Sequence, residues 1–254
     1  MGRLSTGATS RRPAPGARTQ HSIGGWRARS PADKTLRREH LLEAAHRLLQ
    51  VSPFETITVA SVAREASLAK ASAYTYFATR EALFLALVAR ELSQWMAALE
   101  RRLSGGTATA ATLARDVAAT LGEARTLRLL LARLHSTLES NVPAQDLLWF
   151  KRFLAGFLDT SSALIESALP ALRGKGEQVC VITHALLIGL GQLAEPSPKV
   201  AAVLRSDPEL DARFKVDFET TLRGVLETLV AAWSAPPATS ARQPAQRRKK
   251  EANS

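Results

Sequence analysis

Apolar residues recur three and four positions apart, almost without interruption, between residues 30 and 234. Such spacing places them along one side of an α-helix, and no segment shows the apolar–polar alternation of a half-buried strand. The pattern therefore predicts an all-α protein of about nine helices. The two ends, residues 1–29 and 235–254, lack the pattern, and their Gly, Ser, Pro, Ala and Arg content is typical of disordered tails.

The formal net charge of +11 is concentrated in the two ends of the chain. Residues 1–34 carry seven Arg or Lys against Asp33, and residues 235–254 carry five against Glu251. Basic tails attract polyanions such as DNA by releasing counterions, but they are also a common solubilising feature. The charge alone leaves both interpretations open.

Several classes of protein and of site find no support in the sequence. No uninterrupted run of roughly 18 apolar residues occurs, so no transmembrane helix is predicted, and the first thirty residues lack the apolar segment of a secretory signal. Cys180 is the only cysteine, which excludes disulfides and cysteine-rich zinc sites within one chain. No catalytic motif, phosphate-binding loop or metal-ligand pair of histidines is found. The sequence predicts a cytoplasmic protein that is not an enzyme, without catalytic residues, metal, cofactor or membrane partner.

Start and stop signals divide the helical region into segments. A capping box at residues 30–33 starts a first helix that stops before Pro53, and Thr58 caps a short second helix. Another short helix follows at about residues 70–77, and Thr79 caps a long one that runs to about Leu103. Further helices are predicted near residues 109–122, 124–140, 143–169, 176–193, 199–205 and 208–234.

The two short helices are joined by a tight break at Ser67 and Leu68, which is the layout of a helix-turn-helix DNA reader. On a helical wheel the second short helix turns one set of residues inward: Ala69, Ala73 and Phe77. It turns another set outward, with Lys70 at the edge: Ala71, Ser72, Tyr74 and Thr75. Lysine can donate to guanine, and Thr or Tyr can contact phosphate or a thymine methyl group. The alternative is an ordinary helical hairpin whose outer face is only solvated.

Residues 58–84, TVASVAREASLAKASAYTYFATREALF, resemble the DNA-binding signature of the TetR family, and the resemblance extends over about residues 35–95. It implies a three-helix DNA-binding domain at residues 30–95, with the helix-turn-helix at about 58–77. It also implies a helical effector-binding and dimerisation domain at residues 96–234.

The same resemblance implies roles for individual residues. Lys70, Ser72 and Thr75 would face bases, beside Ala71 on the same exposed side. The expected contacts to phosphate or to the groove wall come from Thr58, Tyr74, Tyr76 and Arg80.

The sequence departs from the family pattern at the turn and in the core. Ser67 stands where glycine is usual, so it must take a costly left-handed conformation or reshape the turn. Ala69 stands where a capping serine is common, at a cost of about 1 kcal/mol unless Ser67 caps instead. Pro53 and Ala73 replace a glycine and a larger apolar residue. These departures affect stability more than function.

Two further sets of residues carry implied roles in the second domain. An apolar effector pocket is expected from an aromatic cluster and its neighbours: Trp95, Leu134, His135, Trp149, Phe150, Phe153 and Phe157. The alternatives are plain core packing and, for the histidine, a boundary position. A four-helix dimer interface is expected from two apolar stripes: Leu186, Gly189, Leu193, Phe218, Leu222 and Leu226. The alternative is that these stripes pack within the subunit.

The sequence and the resemblance together predict a ligand-responsive repressor that binds a near-palindromic double-stranded DNA operator as a homodimer. A hydrophobic small molecule would tilt the helix that starts at Thr79 and change the spacing of the two reading heads. Arg27 and Arg29 would reach a minor groove or remain a solvated tail. Two other interpretations stay open: a sequence-independent nucleic-acid binder driven by the basic tails, and a helical small-molecule carrier.

Overall fold

The structure, a computed structural model, describes residues 30–235, and within them all regular secondary structure is helical. The all-α prediction is confirmed, and the described residues form eleven α-helices instead of about nine. The predicted tails lie outside the described residues except for Ala235. In chain order the helices are α1 Pro31–Val51, α2 Val59–Glu65, α3 Lys70–Tyr74, α4 Arg80–Leu103, α5 Ala110–Glu123, α6 Arg125–Leu131, α7 Ala144–Ala168, α8 Gly176–Ala194, α9 Pro198–Arg205, α10 Pro208–Phe214 and α11 Phe218–Ser234.

The predicted helix over residues 208–234 is two helices, and the prediction of a single one was wrong. The chain leaves the helical path after Phe214, and Asp217 takes an extended conformation. Its carboxylate accepts a hydrogen bond from the Thr220 backbone N–H at 2.7 Å, which caps α11. Two extended residues, Lys215 and Asp217, therefore separate the helices, and Asp217 caps the second one.

The predicted helix over residues 124–140 is also interrupted. After α6 the carbonyl of Arg133 accepts hydrogen bonds from the backbone N–H groups of both Thr137 and Leu138, at 3.0 and 3.2 Å. This shift produces a π-helical turn over Leu134–Leu138, followed by a 3-10 turn over Glu139–Asn141. The backbone pairing thus changes register where the apolar spacing predicts a continuous helix.

Helix α4 connects the two halves of the molecule. Thr79 caps it as predicted, accepting from the Ala82 N–H at 3.0 Å. It packs against α1 of the N-terminal half and against α5, α6 and α7 of the C-terminal half. Two helices in the described part of the chain, α4 and α8, are long and apolar enough to cross a membrane by length and composition alone. Helix α4 is the core helix of the fold, whereas only 17% of the apolar window of α8 is buried.

Candidate nucleic-acid interface

The turn between α2 and α3 is closed by two backbone hydrogen bonds. The Leu68 N–H donates to the Ala63 carbonyl at 2.8 Å, and the Ser67 N–H donates to the Arg64 carbonyl at 3.1 Å. This is the Schellman arrangement, and it requires a left-handed residue, which is Ser67 at φ +54°. The serine therefore takes the costly conformation, and the turn keeps its shape without glycine.

Helix α3 begins without a side-chain cap. Ala69 occupies the N-cap position and supplies no hydrogen bond, and Ser67 does not cap the helix in its place. Ala69 is exposed, so its predicted inward position was wrong, whereas Ala73 and Phe77 are buried in the core as predicted. The helix ends at Tyr74, earlier than expected, and the Thr75 hydroxyl closes its end by donating to the Ser72 carbonyl at 2.6 Å.

The opposite side of α3 is open to solvent. Lys70, Ala71, Tyr74 and Thr75 are exposed, and Ser72 is half-buried. The Lys70 Nζ lies 6.0 Å from the centre of the Tyr74 ring, which is 44% exposed. This side offers one cation, several hydroxyl groups and no carboxylate, a composition suited to the edges of bases and to phosphate oxygens.

The flanking residues with implied phosphate contacts differ in accessibility. Thr58 is exposed, and its hydroxyl accepts from the Ser61 N–H at 3.1 Å as the N-cap of α2. Tyr76 is half-buried against the core. Arg80 is turned to the junction between α1 and α2: it donates to the Glu55 carbonyl at 3.3 Å, and its guanidinium carbon lies 5.0 Å from the centre of the Phe54 ring.

Two family models match this chain, one over the helix-turn-helix region and one over the helices that follow it. Residues 41–87 match the family model described as bacterial regulatory proteins, tetR family, and residues 89–236 match the one described as tetracyclin repressor-like, C-terminal domain. The chain belongs to the TetR family. It is therefore a DNA-binding regulator of transcription and not an enzyme. No curated protein matches the sequence.

Two solved structures of other proteins are similar to this chain. The TetR family repressor AlkX from Dietzia sp. strain DQ12-45-1b has a TM-score of 0.51 and 14% identity, over 82% of this chain and 97% of that one. The fatty acid degradation regulator FadR from Bacillus halodurans has a TM-score of 0.49 and 12% identity, over 76% and 94% of the two chains. At 14% identity the likeness to AlkX concerns the fold alone.

The C-terminal half of this TetR-family chain contains an apolar cavity with about 510 Å³ of space, its open mouth included. Two of the predicted pocket residues, Trp95 of α4 and Phe157 of α7, line it. The indole N–H of Trp95 donates to the Thr120 hydroxyl at 3.0 Å, so its polar edge is satisfied within the protein. The remaining wall is mainly leucine, from α4, α5, α6 and α8.

The other predicted pocket residues do not line this cavity, which corrects the sequence-based assignment. Leu134 and Phe150 are fully covered in the core, and Phe153 borders a shallower groove. Trp149 is 45% exposed near the start of α7. His135 is exposed, with its Nε2 3.3 Å from that of His184 and its Nδ1 3.3 Å from Glu139.

The polar residues of the cavity were missed by sequence reasoning. Ser161 of α7 and the α8 residues Cys180, Thr183 and His184 line it. Burial raises the pKa of the Cys180 thiol, while burial and then the nearby His135 lower the pKa of His184. Their spacing on α8 is helical and visible in the sequence, but the apolar stripe on the same helix favours a role in dimerisation. Among residues 30–235 no group of three His, Cys, Asp or Glu is placed to hold a metal ion.

The residues predicted for the dimer interface separate into two groups. On α8, Leu193 and Gly189 are exposed and Leu186 is half-buried. On α11, the side chains of Phe218, Leu222 and Leu226 are buried inside the subunit, where α11 packs along α5. These three have no surface left for a second chain, which corrects the prediction for α11.

Proposed function

We propose that the protein is a ligand-responsive transcriptional repressor that binds a near-palindromic operator as a homodimer. The exposed side of α3, held on a closed helix-turn-helix, is the observation that carries this proposal. Lys70, Ser72 and Thr75 are assigned to bases, with Ala71 beside them. The phosphate and groove-wall contacts are assigned to Thr58, Tyr74, Tyr76 and Arg80. Such a regulator would act on the chromosome, in the cytoplasm.

The cavity supports a small-molecule effector of largely apolar character. Its wall is almost entirely aliphatic and aromatic, and a few polar groups lie in it, among them His184 and Thr183. The Thr183 hydroxyl already donates to the Val179 carbonyl at 2.7 Å, and Ser161 donates likewise to the Phe157 carbonyl. An effector would therefore find mainly apolar surface, with the Cys180 thiol and the His184 ring, which is paired through its Nε2 with His135, as the remaining polar groups.

Exposed apolar side chains on α8 to α10 support association of two copies. Val181 and Leu193 project from α8 at 52% and 61% exposure, and α9 and α10 bury no residue at all. A second copy would cover this surface, because isolated proteins rarely leave large contiguous apolar patches in water. The proposed division is a DNA-binding domain at residues 30–95 and an effector and dimer domain at 96–234.

Binding selection on random duplex DNA, with the full-length protein at physiological salt, tests the proposal. Enrichment of an inverted repeat is the expected result, since two reading heads on a two-fold axis read two half-sites. Binding without enrichment would instead favour a tail-driven, sequence-independent binder. Absence of binding would overturn the DNA-reading proposal and favour a helical carrier.

Variants on α3 identify the reading surface. Lys70→Ala and Tyr74→Ala are each expected to weaken binding to the selected site by about tenfold, because each removes a base or phosphate contact. Ala78→Ser, at an exposed position between α3 and α4, serves as the matched control. Unchanged affinity in both α3 variants, measured by fluorescence anisotropy on folded dimers, would contradict the assignment of α3.

A further inference from the structure

A row of stacked aromatic rings runs along α7 from the cavity toward the DNA-binding domain. Phe157, in the cavity wall, lies 6.2 Å from Phe153, and Phe153 lies 6.2 Å from Trp149, measured between ring centres. The interplanar angles of 28° and 21° show that the three rings are stacked. We call these three residues the α7 aromatic row.

Arg38 of α1 joins this row to Phe77, which lies just after α3, the helix proposed to read the bases and called the recognition helix below. Its guanidinium carbon lies 5.8 Å from the centre of the Trp149 ring and 5.3 Å from that of Phe77. Phe77 is buried, and its N–H donates to the Ala73 carbonyl of α3 at 3.0 Å. A planar guanidinium that contacts two aromatic rings gains from both cation–π interactions.

We propose that Trp149, acting through Arg38 and Phe77, is a positioning residue that sets the orientation of α3 and links it to the effector cavity. The proposal rests on the proposed function, since it concerns how the same cavity influences DNA binding. The contacts are continuous from cavity wall to recognition helix within one chain. This link is distinct from a tilt of α4, because it runs through α7 and α1.

The proposed link between cavity and recognition helix depends on the stiffness of α7. Helix α7 is a single element of 25 residues, and it carries the three rings at successive i, i+4 positions on one side, so a shift of the helix moves them together. A molecule that displaces Phe157 therefore moves the row and changes the contact between Trp149 and Arg38. The energy available is that of a partly exposed cation–π pair, which corresponds to about a threefold change in affinity.

The first test compares substitutions of Trp149 in the full-length protein. Trp149→Leu removes the aromatic face and is expected to weaken binding to the selected DNA site about threefold, while Trp149→Phe restores it. Leu148→Ala changes the neighbouring exposed residue of α7 and should bind as the wild type does. Affinity for unrelated duplex DNA and its salt dependence should stay constant in all three, which a general loss of structure would not produce.

The second test fills the cavity without knowledge of the effector. Cys180 lines the cavity, and Cys180→Phe places a ring in that space; Cys180→Leu is used if the larger variant does not fold. Filling is expected to weaken specific DNA binding in the wild type by about threefold, the limit set by the cation–π contact, and to have little further effect in Trp149→Leu. A chemical denaturation curve on each variant confirms that it is folded.

The outcomes separate this proposal from the proposed function. Equal affinities for Trp149→Leu, Trp149→Phe and wild type would overturn the positioning role and leave the repressor proposal standing. An effect of cavity filling that is the same in both backgrounds would overturn the link to the cavity. Failure of the wild type to select any DNA site would overturn the proposed function itself, and this proposal with it.

Discussion

Ser67 stores strain in the turn that sets the angle between α2 and α3. It is the one non-glycine residue with positive φ among residues 30–235, and such a conformation costs an L-residue about 1–2 kcal/mol. Part of that cost is offset because glycine is more flexible in the unfolded chain. We expect Ser67→Gly to raise the free energy of unfolding by about 0.5–1 kcal/mol, measured by urea denaturation.

A second serine at a helix end provides the matched control for that prediction. Ser206 follows α9 as its C-cap and has a φ of −78°, an ordinary conformation. Glycine at this position relieves no strain, so Ser206→Gly should leave stability unchanged or lower it. Equal gains from both substitutions would show that strain at Ser67 is not the cause.

His184 makes the stability of the cavity region depend on pH. Burial first, and the neighbouring His135 second, lower its pKa below the ordinary value of 6.5, with Glu139 opposing and Lys151 adding a smaller lowering effect. The folded protein therefore binds this proton more weakly than the unfolded chain, and stability falls as pH drops below about 6.5. His184→Gln should lose less stability between pH 7.5 and 5.5 than the wild type does, measured by thermal unfolding.

The control for the pH prediction is a histidine outside the cavity. His40 is exposed on α1 and does not line the cavity, so His40→Gln is the control for replacing a histidine elsewhere in the chain. If His184→Gln follows the wild type, the acid-induced loss of stability comes from other groups.

At the scale of elements, α3 is short and starts without a cap. Serine at position 69 could accept the backbone N–H of Ser72 or Ala71, as serine does at helix N-caps. Ala69→Ser is expected to raise the free energy of unfolding by about 1 kcal/mol. Ala71→Ser, two positions into the helix, gains no cap and should give no increase in the same denaturation experiment. A gain in the second variant alone would contradict the capping argument.

Most elements could be predicted from the sequence because their signals are local. The capping box at Ser30 and the cap at Thr79 depend on a few adjacent residues, and both are confirmed. The π-helical turn could not be predicted, since it depends on which amide pairs with the Arg133 carbonyl and on packing against α4. The break before Asp217 was missed because apolar spacing continues across it.

The candidate site likewise combines features that could be predicted from the sequence with features that could not. The exposed residues of α3 follow from helical geometry, so Lys70 and Tyr74 could be placed on one side from sequence. The cavity could not be placed, because it is formed where five helices converge, and spacing on α7 alone does not distinguish a ring in the cavity, such as Phe157, from one outside it, such as Trp149. The burial of Leu222 could not be predicted either, because it depends on how α11 packs against α5.

At the scale of the whole molecule, α4 belongs to both halves of the chain. The two family-model matches meet between residues 87 and 89, inside this helix. A second connection between the halves is the hydrogen bond from Gln50 of α1 to Thr126 of α6, at 2.7 Å. The cavity region and the DNA-binding region are therefore joined by shared and touching helices, an arrangement that the proposed ligand response requires.

The exposed apolar surface of α8 gives a prediction about assembly. We expect the wild type to be a dimer in sedimentation velocity at micromolar concentration, and Leu193→Asp to raise the dimer dissociation constant about 100-fold, because each copy would bury a carboxylate. Leu36→Asp changes a leucine of similar exposure on α1, 54% against 61%, and should remain dimeric. Leu193→Asp should also lose affinity for an inverted repeat while keeping affinity for a half-site, since each monomer retains its α3. If Leu193→Asp stays dimeric, the two copies associate through a surface other than α8.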